Sequence, residues 1–219
     1  MTSFDLWTRY FSGWRLVTVI IMLSTLLSLG AVGAFPGVEG VRLIVSMTAR
    51  ASAIFFCLAF SASALHGISP TPWSRWQLRN RRYLGFAFAG LQTLHVVALI
   101  SFATLAPASF ETAVGGIVIG IFGIAGYITV VALALTSFEP TSKMLGPERW
   151  RTLHRSGSYF IWFILAVAFA LHLLRAPSLI YANVEMAMLL ASLVLRHIPR
   201  RRGSIQDDHS MTRRAVIHS

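Results

Sequence analysis

RWRTLHRSGSYFIWFILAVAFALH, from Arg149 to His172, decides how this chain is read: it is an apolar segment with a histidine near each end. His154 and His172 are 18 residues apart. At about 100° per residue that is five whole turns, so a helix sends both imidazoles from one face, about 27 Å apart. One helix then offers a ligand near each surface of a membrane. A third histidine, His95, lies inside another long apolar segment, where an imidazole is costly without a partner.

Working outward, the composition agrees with a bilayer. Of 219 residues, 55% are hydrophobic and only 12% charged, and mean hydropathy is +0.66, far too apolar for a soluble domain of this size. The formal charge is +11. In a soluble protein that excess suggests nucleic acid, but these cations sit between apolar segments, where membrane topology explains them. Nucleic acid is set aside as a partner, and membrane lipid takes its place. Cys57 is the only cysteine, which excludes an internal disulfide and any cysteine-ligated cluster within one chain. Redox chemistry here needs a bound cofactor.

The expected fold class is an all-α integral membrane bundle of six transmembrane helices. The first span runs from Leu16 to Phe35. Val32 and Ala34 resemble a cleavage site, but about 20 apolar residues exceed a signal-peptide core of about 7 to 15, so an uncleaved anchor is favoured. The second span, Val41 to Leu65, carries Arg50 and ends at His66, Gly67 and Pro70; the Trp73 and Trp76 loop beyond it reads as interfacial. The third starts after Arg79, Arg81 and Arg82, contains His95 and stops at Pro107. The fourth, Thr112 to Thr136, is glycine-rich. Gly116 and Gly120 in GxxxG spacing, beside Gly115, Gly123 and Gly126, predict close helix packing. The basic connection Lys143 to Arg151 leads to the fifth, Trp150 to Leu174, and the sixth is Ser178 to Leu195. The domain division is a six-helix domain over residues 1–202 and a disordered polar tail over 203–219.

Nearly all Lys and Arg fall at the N-terminus (Arg9, Arg15), in the loops after the second and fourth spans, and in the tail; Arg42 and Arg175 alone lie in the opposite loops. The positive-inside rule therefore puts both termini in the cytoplasm. Counted from Arg82 and Arg151 at the inner surface, His95 is about 20 Å up its helix, His154 about 5 Å and His172 about 31 Å.

Two imidazoles from different helices of a bundle can take both axial positions of a haem iron. Arg50 lies at a depth suited to the propionates of an outer haem, although snorkelling to the surface explains it nearly as well. One buried histidine alone would equally be a hydrogen-bonded core residue; three at suitable depths tilt the reading towards ligation. His66 caps the second span, and His197, His209 and His218 lie in or near the basic tail, where solvated imidazoles are ordinary. Met47 and Cys57 are potential ligands whose usual fate is packing. Glu185 is an intramembrane carboxylate that could relay protons or hold a quinone, with pairing to an Arg the cheaper explanation. No glycine-rich nucleotide loop follows a strand, and the soluble segments are too short for a flavin or nicotinamide domain. Electrons must come from a quinol or a separate reductase.

RRYLGFAFAGLQTLH (Arg81–His95), LALTSFEPTSKMLGPERWRTLHR (Leu133–Arg155) and MTARAS (Met47–Ser52) resemble the ferric reductase-like transmembrane family. Within it, the chain is similar to the haem-binding membrane subunits of bacterial periplasmic methionine sulfoxide reductase systems. The resemblance implies a six-helix b-type haem protein of the bacterial inner membrane, multi-pass, carrying electrons across it. It implies one or two haems, with a quinone or flavin as further cofactors left open. His95 matches the ligand of the third helix, His154 the histidine of the LH motif, and Arg50 the arginine of the second-helix motif. The family's second histidine in the fifth helix falls thirteen residues after the first; that position here is Val167, and His172 comes five residues later.

The expected function is thus electron transfer to a periplasmic oxidoreductase or a metal acceptor, as the component of an oxidoreductase. Its metal and cofactor residues are His95, His172, His154, Arg50 and His66. The pairing expected is His95 with His172, leaving His154, with His66, for a second haem or an interfacial role. Two rival classes remain, a proton or metal-ion transporter using the histidines and Glu185, and a non-catalytic membrane scaffold.

Overall fold

The computed structural model describes residues 8, 10–114, 117–175 and 180–198, and every regular element among them is a helix. α1 (Trp14–Ala34) and α2 (Val38–Ile68) are joined by a reversal at Gly37, which takes φ 83. A Cβ on Gly40 would lie 2.2 Å from the Phe35 carbonyl oxygen, so only glycine lets the two helices turn this tightly.

The Trp73–Trp76 segment is a helix rather than a loop. In α3 (Pro72–Arg79), Thr71 and Ser74 form a reciprocal capping box at 2.9 and 3.1 Å, with Pro72 in the first turn. Once the turn is helical, Trp76 faces inward and packs with Leu16 and Leu84. It is 3% exposed and its indole N–H donates to Phe11 O at 2.7 Å. Trp73 remains exposed, stacked on it. Buried Asn80 ties the same corner together, accepting from Gly13 N at 2.9 Å and donating to Trp76 O at 3.0 Å.

α4 (Arg81–Leu105) follows, and Pro107 opens another helix, α5 (Pro107–Val114), instead of a loop. The expected fourth span is therefore α5 and α6 (Ile117–Leu135), with residues 115–116 outside the described residues. After α6 the chain bends by 101° into α7 (Glu139–Leu145). Gly146 at φ 77 and Pro147 then launch α8 (Pro147–Arg175), and α9 (Ile180–His197) ends the described chain. The polar tail lies outside the described residues.

α1, α2, α4 and α8 are each long and apolar enough to cross a membrane, and α6 with α7 makes a fifth span if the bent pair counts as one. α9 is 18 residues long but carries Asn183, Glu185 and Arg196, which lower its hydropathy. The protein is an integral membrane helical protein.

Five helices close a ring in the order α4, α2, α9, α8, α6 and back to α4, while α1 packs outside against α2 and α4. Their inward faces meet in one core that holds Phe56 and Phe60 of α2, Phe88 of α4, Val130 of α6, Ile161 and Leu165 of α8, and Leu189 of α9. α4 and α8 face each other across this ring. Of the glycines expected to pack closely in the fourth span, Gly126 does so, Gly120 and Gly123 face open space, and Gly115 and Gly116 lie outside the described residues. The close approach is to α8, which offers Gly157 in return. A Cβ on Gly126 would meet Ile164 Cδ1 at 2.8 Å, and one on Gly157 would meet Leu133 and Thr129 at 3.1 and 3.2 Å. Gly126→Leu should therefore wedge α6 from α8 and cost about 1–3 kcal/mol, read as a lower unfolding temperature in detergent. Gly120→Leu should leave that temperature unchanged.

Candidate functional site

α2 and α4 run antiparallel, and three contacts set their register: Arg81 with Ala59 and Ser63, Phe88 with Phe56, and His95 with Val45 and Thr48. His95 is two turns beyond Phe88, about 20° from it around the helix, so it shares the face that enters the core. Its Nδ1 lies 3.1 Å from Val45 O and 3.1 Å from Thr48 Oγ1. A carbonyl only accepts, so Nδ1 carries the proton and Nε2 keeps its lone pair. Nε2 has no hydrogen-bond partner among the described residues. A protein carbonyl fixing one imidazole nitrogen while the other is left basic is the arrangement by which proteins orient a metal-binding histidine.

Just below this level Arg50 Nε meets Glu185 Oε1 at 3.2 Å, joining α2 to α9. Arg50 is thus paired with the neighbouring helix rather than free to snorkel, and Glu185, 7% exposed, is accounted for by the pair. A charge at the bilayer centre costs about 2.5–3.5 kcal/mol on insertion scales, which a partner of opposite sign offsets. Gln92 stands between Phe88 and His95 on the same face of α4, level with Arg50 by the α2–α4 register. Its buried Oε1 has no hydrogen-bond partner, and such a group normally finds one.

The helix α8 histidines differ. Trp162 Nε1 donates to Leu189 O at 3.0 Å, so Glu185, one turn beyond Leu189, is level with about residue 166 of α8. Taking Arg50 as about 5 Å below His95, His172 then stands about 4 Å above the level of His95, and His154 about 23 Å below it. His172 is exposed near the end of α8, and it lies within about 20° of the line through buried Ile161 and Leu165, which points it along the ring's inner face. Val167 is 39% exposed and about 120° from Ile161, so the family's second position does not lie on that face.

His154 is committed elsewhere. Thr136 Oγ1 donates to Ala132 O at 2.7 Å, so it accepts from His154 Nε2 at 3.0 Å. Trp150 stacks on the imidazole at 4.3 Å and its indole N–H donates to Thr136 O at 2.9 Å. His154 therefore fastens α8 to the end of α6. His66 is likewise part of a turn, with Nδ1 3.1 Å from Ser74 Oγ of the α3 cap, and His197 Nδ1 donates to Leu193 O at 2.9 Å. Thr48 and Gln92 went unnoticed in the sequence because a lone Thr or Gln in a span carries no spacing signal. Among the described residues no three His, Cys, Asp or Glu side chains converge on a metal-sized site.

A family model described as ferric reductase like transmembrane component matches residues 46–167, more than half of the chain. The chain belongs to that family. Neither a curated protein nor a solved structure matches it. The matched stretch includes Arg50, Gln92, His95 and His154 but stops short of His172 and Glu185. As a ferric reductase-like transmembrane protein, it falls in a class with a membrane electron-transfer function.

The family implies haem, and residues whose chemistry suits one lie on adjacent helices: His95 of α4 with its Nε2 unprotonated, the unpartnered amide oxygen of Gln92 and the Arg50 guanidinium of α2, with Phe56 and Phe88 packed beneath them. The Arg50–Glu185 pair can be tested without it. Arg50→Met leaves a carboxylate buried alone and should cost on the order of 3–5 kcal/mol in detergent unfolding, whereas Arg50→Met with Glu185→Met should recover most of the loss. A double variant as unstable as the single one would show that the pair is not what holds α9 to α2.

Proposed function

We propose that this protein is a b-type haem electron-transfer subunit in which His95 of α4 and His172 of α8 hold one haem across the ring. The observation that carries the reading is the Val45 hydrogen bond to His95 Nδ1, which leaves Nε2 with its lone pair available to a metal. A haem bound there would supply one-electron transfer, with a potential set by the imidazoles that hold it and by their hydrogen bonds. Val45 O and Thr48 hold the ring orientation and the tautomer of His95. A guanidinium has five donors, so Arg50 can serve Glu185 and a haem propionate together, and Gln92 offers an amide at the same level. The apolar walls exclude water from the iron. His154 then has a structural part at the basic end, and a second haem there would require it to release Thr136.

The proposed topology is six spans, counting α9, with both termini in the cytoplasm of a bacterial inner membrane. Exposed Arg75, Arg79, Arg81, Arg82, Lys143, Arg149, Arg151 and Arg155 all gather at the end of the ring that holds His154. The donor is a quinol or a separate reductase, and the acceptor is a periplasmic oxidoreductase, as in methionine sulfoxide repair, or a metal complex. The transporter reading is weaker, because Glu185 is neutralised by Arg50 instead of standing free in a pathway.

Haem content and reduced-minus-oxidised spectra of the purified protein test the site. His95→Ala and His172→Ala should each remove most bound haem while leaving the bundle inserted, and His154→Ala should keep it. Loss of haem only in His154→Ala would reverse the assignment on α8. Orientation has its own check: reporter fusions after Gly37 and Pro107 should read the outer compartment, and fusions after Trp73 and Gly146 the cytoplasm. An inverted pattern would exchange the inner and outer labels.

A further inference from the structure

Outside the ring, α1 and α6 both border the outer face of α4, which forms the floor of a groove of about 310 Å³ between them. The floor runs Phe86, Ala89, Gly90, Thr93, a stripe at helical spacing whose small middle residues give the groove its depth. Gly90 also lets α1 come close, since a Cβ there would meet Ile21 Cδ1 at 2.4 Å. Trp14 and Phe86 stack at 4.9 Å near one end. The walls are apolar apart from Thr93 and Tyr127, whose hydroxyls stand 3.4 Å apart.

That hydroxyl pair is what gives the groove a chemistry. Thr93 Oγ1 donates to Ala89 O at 3.0 Å, so among the described residues the Tyr127 hydroxyl has one long contact, on a face that lipid would cover in a membrane. An acyl chain could fill the groove but would leave the phenol as it is. A flat, apolar ring with carbonyl oxygens would lie against the aromatic end, accept a hydrogen bond from Tyr127 and run its hydrocarbon tail into the lipid. Thr93 is two residues from His95, so the two project to opposite sides of the same turn of α4, one into the groove and one into the core. A ring held at Thr93 and Tyr127 is separated from His95 by little more than the thickness of one helix.

We infer that the groove between α1, α4 and α6 binds the head group of an isoprenoid quinone. The inference rests on the proposed electron-transfer reading and gives it a site on the membrane side of α4. The other redox donor class, a soluble reductase, has no use for a groove open to lipid.

The test is photolabelling of the full-length, haem-loaded protein in detergent with a short-chain azidoquinone. Label should fall on peptides carrying Phe86–Thr93 and Tyr127–Phe138, and excess unlabelled decylquinone should suppress it while an equal excess of a decyl-chain detergent does not. Tyr127→Phe, which removes one hydroxyl and no volume, should weaken competition about fivefold, the size of one net hydrogen bond. Ala134→Phe, which fills the groove from α6, should abolish labelling there. Both variants should keep the wild-type haem spectrum, so their outcome is separate from that of the histidine variants. Label spread along the whole lipid face, suppression by the decyl detergent as strongly as by the quinone, or a Tyr127→Phe protein equal to wild type would each overturn the proposal.

Discussion

The hydrogen bond from His95 Nδ1 to Val45 O is the constraint on which the ring depends. An imidazole N–H inside hydrocarbon has no water to turn to, and neighbouring helices expose few acceptors because their carbonyls already serve their own ladders. What remains is the second lone pair of a carbonyl, and reaching it requires two backbones to come close. Fully buried Ser52, Ala53 and Ala87 provide that closeness between α2 and α4. The bond therefore does two things at once. It selects the register of the most extensive helix pair among the described residues, and it decides which nitrogen of His95 keeps its lone pair.

A second polar contact completes the ring from the other side. With α4 locked to α2, Arg50 of α2 reaches Glu185 and brings in α9; Trp162 then ties α8 to α9, and the two close glycines, Gly126 and Gly157, let α6 lie against α8. Polar groups thus occupy one layer, and beneath it the interior is aromatic. Phe56 packs on Phe60 and Phe88 at 5.3 Å each, Phe60 meets Tyr159 at 5.5 Å, and Arg196 caps the stack with its guanidinium 4.2 Å above Phe60.

Much of this was legible in the sequence where the bilayer makes a rule strict. Length and hydropathy located α1, α2, α4 and α8, and an arginine and a glutamate within apolar runs demanded partners, which turned out to be each other. His95 stood out because an imidazole at that depth must be held by something. The rest depended on where helices start and how they lean. Depth counted from Arg151 put His172 about 11 Å from the level of His95, and the contacts through Leu189 and Glu185 bring that to about 4 Å. Trp76 read as interfacial because indoles favour that zone, but the capping box at Thr71 turned it inward. Among the glycines of the fourth span the sequence could not say which would be used, for a related reason: small residues permit close packing wherever a neighbouring helix arrives, and α8 arrives at Gly126 rather than Gly120. Thr48 and Gln92 were invisible because their importance lies in a register between two helices that no local pattern encodes.

The layering also constrains how electrons could reach a group held by His95. From the basic end the way through the ring is filled by the Phe56, Phe60, Phe88 and Tyr159 cluster, and His154 and Trp150 fasten α8 to α6 below it. A donor confined to that surface would face roughly 20 Å of packed side chains, by the helix rise between His154 and His95. The lateral approach is shorter. Across α4 the distance is set by the diameter of one helix, about 10 Å with side chains, and α4 is also the helix whose outer face is thinned by Ala89 and Gly90. A family fold that carries no nucleotide-binding segment of its own within these helices would thereby meet a membrane-borne donor at the depth of its polar layer, with α4 serving both as the wall of the groove and as the element that holds the ligand.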